Sequence, residues 1–103
     1  MDIPIKVFTT DAFKEWFDEL KDFKAVKAIK ARIDRIKFGN LGDWKKIQNA
    51  DNIFELRIDV SKGYRLYFTK KGNTIIILLC GGFKDTQDKN IREAEHILSN
   101  LEF

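Results

Sequence analysis

Two arginines, two tyrosines and a lysine stand among apolar residues in the middle of this chain. They lie in Glu55-Leu56-Arg57, Gly63-Tyr64-Arg65-Leu66-Tyr67-Phe68 and Leu78-Leu79-Cys80-Gly81-Gly82-Phe83-Lys84. A guanidinium within a β-strand costs stability unless it is paired or used, because burial strips its water. Arginine presents a planar fork of donors that matches the oxygens of a phosphate. Tyrosine adds a hydroxyl donor and a ring on which a base can stack. The chemistry that fits is the binding of a phosphodiester, and RNA is the anion the pattern favours.

Strand register decides whether these residues meet. Phe54, Leu56, Ile58 and Val60 alternate with Glu55, Arg57 and Asp59, the pattern of a half-buried strand. Ser61-Lys62-Gly63 reads as a short turn, after which Tyr64, Leu66 and Phe68 point one way and Arg65 and Tyr67 the other. A hairpin centred on Ser61 places Arg57 across from Arg65 and Glu55 across from Tyr67, all on the face opposite the apolar set. Like charges directly opposed in a sheet cost up to about 1 kcal/mol. A phosphate held between the two arginines would offset that cost. Glu55 offers an alternative, a pairing with one of the arginines. A slip of one residue would move a partner to the other face.

The remaining elements must position this hairpin. Val7 and Phe8, with Ile3 and Ile5, suggest a short first strand. Thr9 or Thr10 caps a helix carrying Phe13, Trp16, Phe17, Leu20 and Phe23 on one face. A break at Lys24-Ala25 leads to a second helix with Val26, Ile29, Ile33 and Ile36, stopped at Gly39. Gly39-Asn40-Leu41-Gly42-Asp43 is a loop, and the two-residue period begins at Trp44. Lys71-Gly72-Asn73 turns into an almost wholly apolar strand, Thr74 to Cys80, which Gly81-Gly82 ends by a tight turn. Asp85 caps a last helix with Ile91, Ala94, Leu98 and Leu101 as its stripe. The order predicts an α+β fold: an N-terminal strand, a helical hairpin, an antiparallel sheet of three to four strands and a C-terminal helix. The helices are expected on one face of the meander, with the other face partly open.

Composition narrows the function classes. A chain of 103 residues, 44% hydrophobic, reads as a single domain over residues 1–103 with one core. Its longest apolar run suits a buried strand and is too short for a membrane span. Met1-Asp2-Ile3-Pro4-Ile5-Lys6 lacks the features of a signal peptide, and the lone Cys80 reads as a small core residue; a cytoplasmic protein is expected. The net charge of +3 is weak evidence for nucleic acid, so its distribution matters more. Acidic residues gather in the helical segments, whereas Lys45, Lys46, Arg57, Lys62, Arg65, Lys70 and Lys71 concentrate on the sheet. No paired Cys or His at ligand spacing and no phosphate-loop pattern occurs, so neither a metal nor a cofactor is called for.

Together these strings, with Asp85-Thr86-Gln87 following Lys84, resemble the RelE/ParE toxin superfamily, and most closely its HigB-like addiction module killer branch. Arg32-Ile33-Asp34-Arg35-Ile36 and Gly39-Asn40-Leu41-Gly42-Asp43-Trp44-Lys45 match that branch too, so the resemblance covers nearly the whole chain. It implies the toxin of a type II toxin–antitoxin module, a metal-independent endoribonuclease that cleaves mRNA in the ribosomal A site. There the ribose 2′-hydroxyl attacks the adjacent phosphate. On this resemblance Arg65 binds the scissile phosphate and stabilises developing charge. Arg57 and Lys84 are auxiliary cations, Tyr67 stacks or transfers a proton, and Lys45, Lys46 and Lys62 hold RNA backbone. The chain departs from several such ribonucleases in having no tyrosine or histidine at its C-terminal end except His96, read as a helix-surface or packing residue. Phe83, read as a cavity filler, stands where relatives carry an acidic residue. Two other classes stay open: a ParE-like inhibitor of DNA gyrase, and an inactive binding member of the family. The implied partners are a cognate antitoxin, in this branch often of helix-turn-helix type, the ribosome and mRNA. No membrane is implied, and no DNA binding except through the antitoxin complex.

Overall fold

The structure, a computed structural model, describes residues 3–102. Met1 and Asp2, part of the chain start read above for leader features, lie outside them. Strand β1 (Lys6–Thr9) is followed by helices α1 (Asp11–Asp18) and α2 (Phe23–Lys37). Then come strands β2 (Trp44–Lys46), β3 (Phe54–Ile58), β4 (Tyr64–Lys71) and β5 (Ile75–Phe83), a single 3₁₀ turn (Lys84–Thr86) and helix α3 (Gln87–Ser99). Among the described residues no helix is long and apolar enough to cross a membrane.

The class and element order are those expected, and two details differ. The sheet has five strands in the order β1-β5-β4-β3-β2, and β1 joins its edge in parallel with β5. The helices lie on both faces. Phe13, Ala25, Ile29 and Ile36 of α1 and α2 pack on Leu56, Ile58, Tyr64, Leu66, Phe68, Ile76 and Leu78. Ala94 of α3, with Ile91, Ile97, Leu98 and Leu101, packs on Tyr67, Ile77, Leu79 and Cys80 across the sheet. The face that carries the arginines is thus roofed in part by α3.

Local signals explain the helix ends. The Thr10 hydroxyl accepts the Phe13 amide at 3.1 Å and donates to the Leu79 carbonyl at 2.6 Å, which caps α1 and pins it to β5. Helix α1 ends at Asp18, short of the expected break, because Asp22 captures the amides of Lys24 and Ala25 and starts α2 there. Phe23 consequently leaves the apolar stripe and is exposed. At the far end Gly39, at φ 96°, supplies the left-handed stop. Helix α3 begins at Gln87 without the expected Asp85 cap. The Thr86 hydroxyl accepts the Phe83 amide instead, so the strand runs into the helix through one 3₁₀ turn.

One extra residue, Leu79, bulges from β5: Tyr67 pairs with Cys80 and Phe68 with Leu78. The alternation therefore shifts by one, so that Leu79 and Cys80 both face α3 while Gly81 returns to the α1 side. Gly81 and Gly82 lie within β5 and do not make a turn. They are small because helices press on both sides. A Cβ on Gly81 would collide with the Trp16 ring, and one on Gly82 with the Asn90 carboxamide.

Candidate anion-binding site

The hairpin centres on Ser61, which adopts φ 51°, and the expected register is found: Arg57 opposite Arg65, Glu55 opposite Tyr67. The Arg57 amide donates to the Asp43 carbonyl of the neighbouring segment at 2.9 Å. Arg57 and Arg65 are therefore a non-hydrogen-bonded pair, the type in which opposing side chains stand closest. Arg32, reaching from α2, donates to the carbonyls of Leu41, Asp43 and Arg57 and so fixes the loop that leads into β2.

The two guanidiniums are drawn toward different carboxylates. Arg57 Nε donates to Glu55 Oε1 at 3.0 Å, and this bond is the main reason its pKa is raised. Lys45 on β2 approaches the same oxygen at 3.9 Å. Glu55, 1% exposed, thus anchors two cations that remain open to solvent, the pairing that the sequence had left as an alternative for Arg57. Arg65 is 6% exposed, and its NH1 donates to the Tyr64 carbonyl at 2.9 Å. Its only carboxylate among the described residues is Asp59, 3.5 Å away and with a side chain 74% exposed. Its Nε, itself buried, has no partner among the described residues. A nearly buried guanidinium held by one loose carboxylate, with a second arginine alongside, is arranged to take an anion.

The other expected residues divide. Lys84 is exposed beside the hairpin: its amide donates to the Gly63 carbonyl at 3.1 Å, and its stem crosses Gly63, where a Cβ would crowd it at 3.1 Å. Lys62 turns to the opposite face, with its ammonium 4.1 Å from the centre of the Phe83 ring. Lys46 lies on that opposite face too, across from Phe54. Arg57, Arg65 and Lys45 are brought together, Lys84 stands at the rim, and Lys62 and Lys46 are elsewhere.

Tyr67 is wholly buried beneath α3, so its ring is not available for stacking as expected from the sequence. Burial, aided by the negative charge of Glu55, pushes its phenol far above the usual range, and its hydroxyl has no partner among the described residues. It therefore cannot serve as an accessible proton donor in this arrangement. Phe83 fills space as expected, its ring 5.3 Å from that of Tyr64. Cys80 is a buried core residue whose thiol burial pushes up, and His96 is exposed on α3.

Three contributors were not singled out from the sequence. Asp59 was read only as one of the alternating polar residues, yet it is the counter-ion of Arg65. Asn90, buried on α3, packs on Gly82 beside Arg65 and takes the Thr86 hydroxyl at 2.5 Å. Asp22 accepts the Tyr64 hydroxyl at 3.0 Å and thereby ties the start of α2 to β4. The one available signal was the glycine at position 82, which announces close approach by some neighbour without naming it.

Comparison with known proteins agrees with this architecture. Residues 15–102 match the family described as Phage derived protein Gp49-like (DUF891). An uncharacterized protein of Haemophilus influenzae is 46% identical over 97 residues, covering 94% of this chain and 96% of its own length. A solved structure of the Escherichia coli toxin RelE, a double-arginine mutant in the free state, superposes with a TM-score of 0.71 over 97% of this chain and 100% of that one. At 9% identity that likeness concerns the fold. The chain belongs to the Gp49-like family, and its five-stranded sheet has the fold of RelE.

Proposed function

We propose that the protein is the toxin of a type II toxin–antitoxin pair, in the HigB-like manner, and that it cleaves mRNA on the ribosome in the cytoplasm. The observation that carries this reading is Arg65, nearly buried, opposite Arg57, with an exposed Asp59 as its counter-ion. In the reaction the ribose 2′-oxygen bonds to phosphorus and the bond from phosphorus to the 5′-oxygen breaks, leaving a cyclic phosphate and a 5′-hydroxyl. Negative charge builds on the non-bridging oxygens, and the Arg65 fork stabilises it. Arg57 and Lys84 add positive potential, while Lys45 holds the flanking backbone. Tyr67 is sealed off, so this chain supplies charge stabilisation and positioning, and the proton is carried by a lysine at the site or by the ribosomal RNA. A cognate antitoxin is the regulatory partner.

Primer extension on mRNA programmed into purified ribosomes tests this. Wild-type protein is expected to cut within A-site codons. Arg65→Ala is expected to lower cleavage at least about 100-fold, the loss typical of one oxyanion donor. Arg65→Lys, which keeps the charge and loses the fork, is expected to fall between. Wild-type protein that arrests growth without cutting mRNA overturns the reading in favour of a gyrase target.

A further inference from the structure

The three-residue edge strand β2 presents side chains to both faces: Lys45 points to the arginine face, Trp44 and Lys46 to the other. Trp44 is 41% exposed. It meets Phe54 edge-on, with ring centres 5.8 Å apart and planes at 61°. At that exposure a large part of the indole remains open to solvent beside Phe54. The Lys70 ammonium sits 5.2 Å from the Trp44 ring centre and 4.7 Å from that of Phe54. Among the described residues, neither Lys70 nor Lys46 is in an ion pair. Lysines on an edge strand guard against strand pairing. That role, open to Lys46 on β2, does not require an exposed indole beside it, nor a lysine on the middle strand β4 turned toward that indole.

From this arrangement we propose that Trp44, Lys46 and Lys70 form a second nucleic-acid contact that stacks one unpaired base and binds its flanking phosphates. Base stacking on an aromatic ring combined with nearby cations along the backbone is the mode by which proteins hold single strands without reading sequence. Lys45 links the patch to the anion site around the β2 edge, so one strand of RNA contacts both faces. The inference rests on the RNA reading above and extends it to a face that carries none of the arginines.

The test uses intrinsic fluorescence. Trp16→Phe leaves Trp44 as the sole indole, since the chain has two tryptophans. Titration with a short single-stranded RNA is expected to quench its emission saturably. Trp44→Ala is expected to weaken RNA binding, read by anisotropy of labelled RNA, about tenfold. Trp44→Leu, which keeps an apolar contact with Phe54, is expected to lose nearly as much, separating stacking from fold. Lys46→Gln with Lys70→Gln is expected to lower the salt dependence by roughly the share of two phosphates. RNA binding that still depends on Arg65, with Trp44 emission unchanged and Trp44→Ala binding as wild type, overturns the patch and leaves the proposed activity standing. Quenching by polyglutamate and none by RNA also overturns it, assigning the face to an acidic protein. Ribosome-dependent cleavage retained by Trp44→Ala at full rate, with no RNA binding by the free protein, overturns it as well.

Discussion

Tyr67→Phe separates two accounts of the same residue, a catalytic phenol and an orphaned core hydroxyl. Tyr67 lies opposite Glu55 on one side and Cys80 on the other, under α3, with no exposed surface. Its hydroxyl finds no partner among the described residues. A buried hydroxyl without a hydrogen bond costs about 1–3 kcal/mol on scales drawn from protein variants. Phenylalanine keeps the ring, and with it the packing on Ile77, Leu79 and Ala94, while removing that cost. The variant is therefore expected to gain about 1–3 kcal/mol in urea unfolding. For a domain of this size each kcal/mol corresponds to roughly 4–8 °C in Tm. The m-value is expected to stay constant, since the unfolded surface hardly changes. Cleavage on the ribosome is expected to remain within about twofold of wild type. A stability loss would show that the hydroxyl is bonded in solution. Loss of cleavage with the fold intact would show that the phenol reaches the reaction, and would refute the argument from burial.

Two further outcomes follow from the charges. Asp59→Asn removes the carboxylate that competes with phosphate for Arg65, an attraction that solvent screens to about 0.2–1 kcal/mol at so exposed a group. RNA binding by anisotropy is expected to tighten about two- to fivefold, and weaker binding would make Asp59 a contributor to the site. Asp22 has its carboxyl held below the ordinary carboxylate range by the Ser61 hydroxyl, the Ala25 amide, the Tyr64 hydroxyl and the Lys24 amide. A carboxyl lowered on folding adds stability above its unfolded pKa and loses it as pH falls through the folded value. Thermal unfolding followed from pH 7 to pH 2 is therefore expected to show a shallower acid loss in Asp22→Asn, and parallel curves would sink the assignment.

Alternation was enough to place Arg57 opposite Arg65, because a period of two and a turn centred on Ser61 leave one register that buries Leu56 and Leu66. It could not show what covers the other face, since Tyr67 reads the same whether it meets solvent or a helix. The information was present at a coarser level. Five strands at about 4.8 Å spacing span roughly 19 Å, and helices pack about 8–10 Å apart, so one face holds two helices side by side. The stripes of α1 and α2 already claim that area. The stripe at Ile91, Ala94 and Leu98 can be buried only across the sheet, which puts Tyr67 and Cys80 beneath it. The extent of the roof is then set by glycine. Asn90 rests on Gly82, the partner of Arg65, so the helix edge falls beside that arginine. Position 82 without a side chain allows α3 to come close enough to leave Arg65 only 6% exposed, while Arg57, one strand further out, keeps 34% of its side chain in solvent. The same close packing that buries the expected tyrosine therefore desolvates the arginine beside it, and a desolvated guanidinium attracts a phosphate more strongly than one in water.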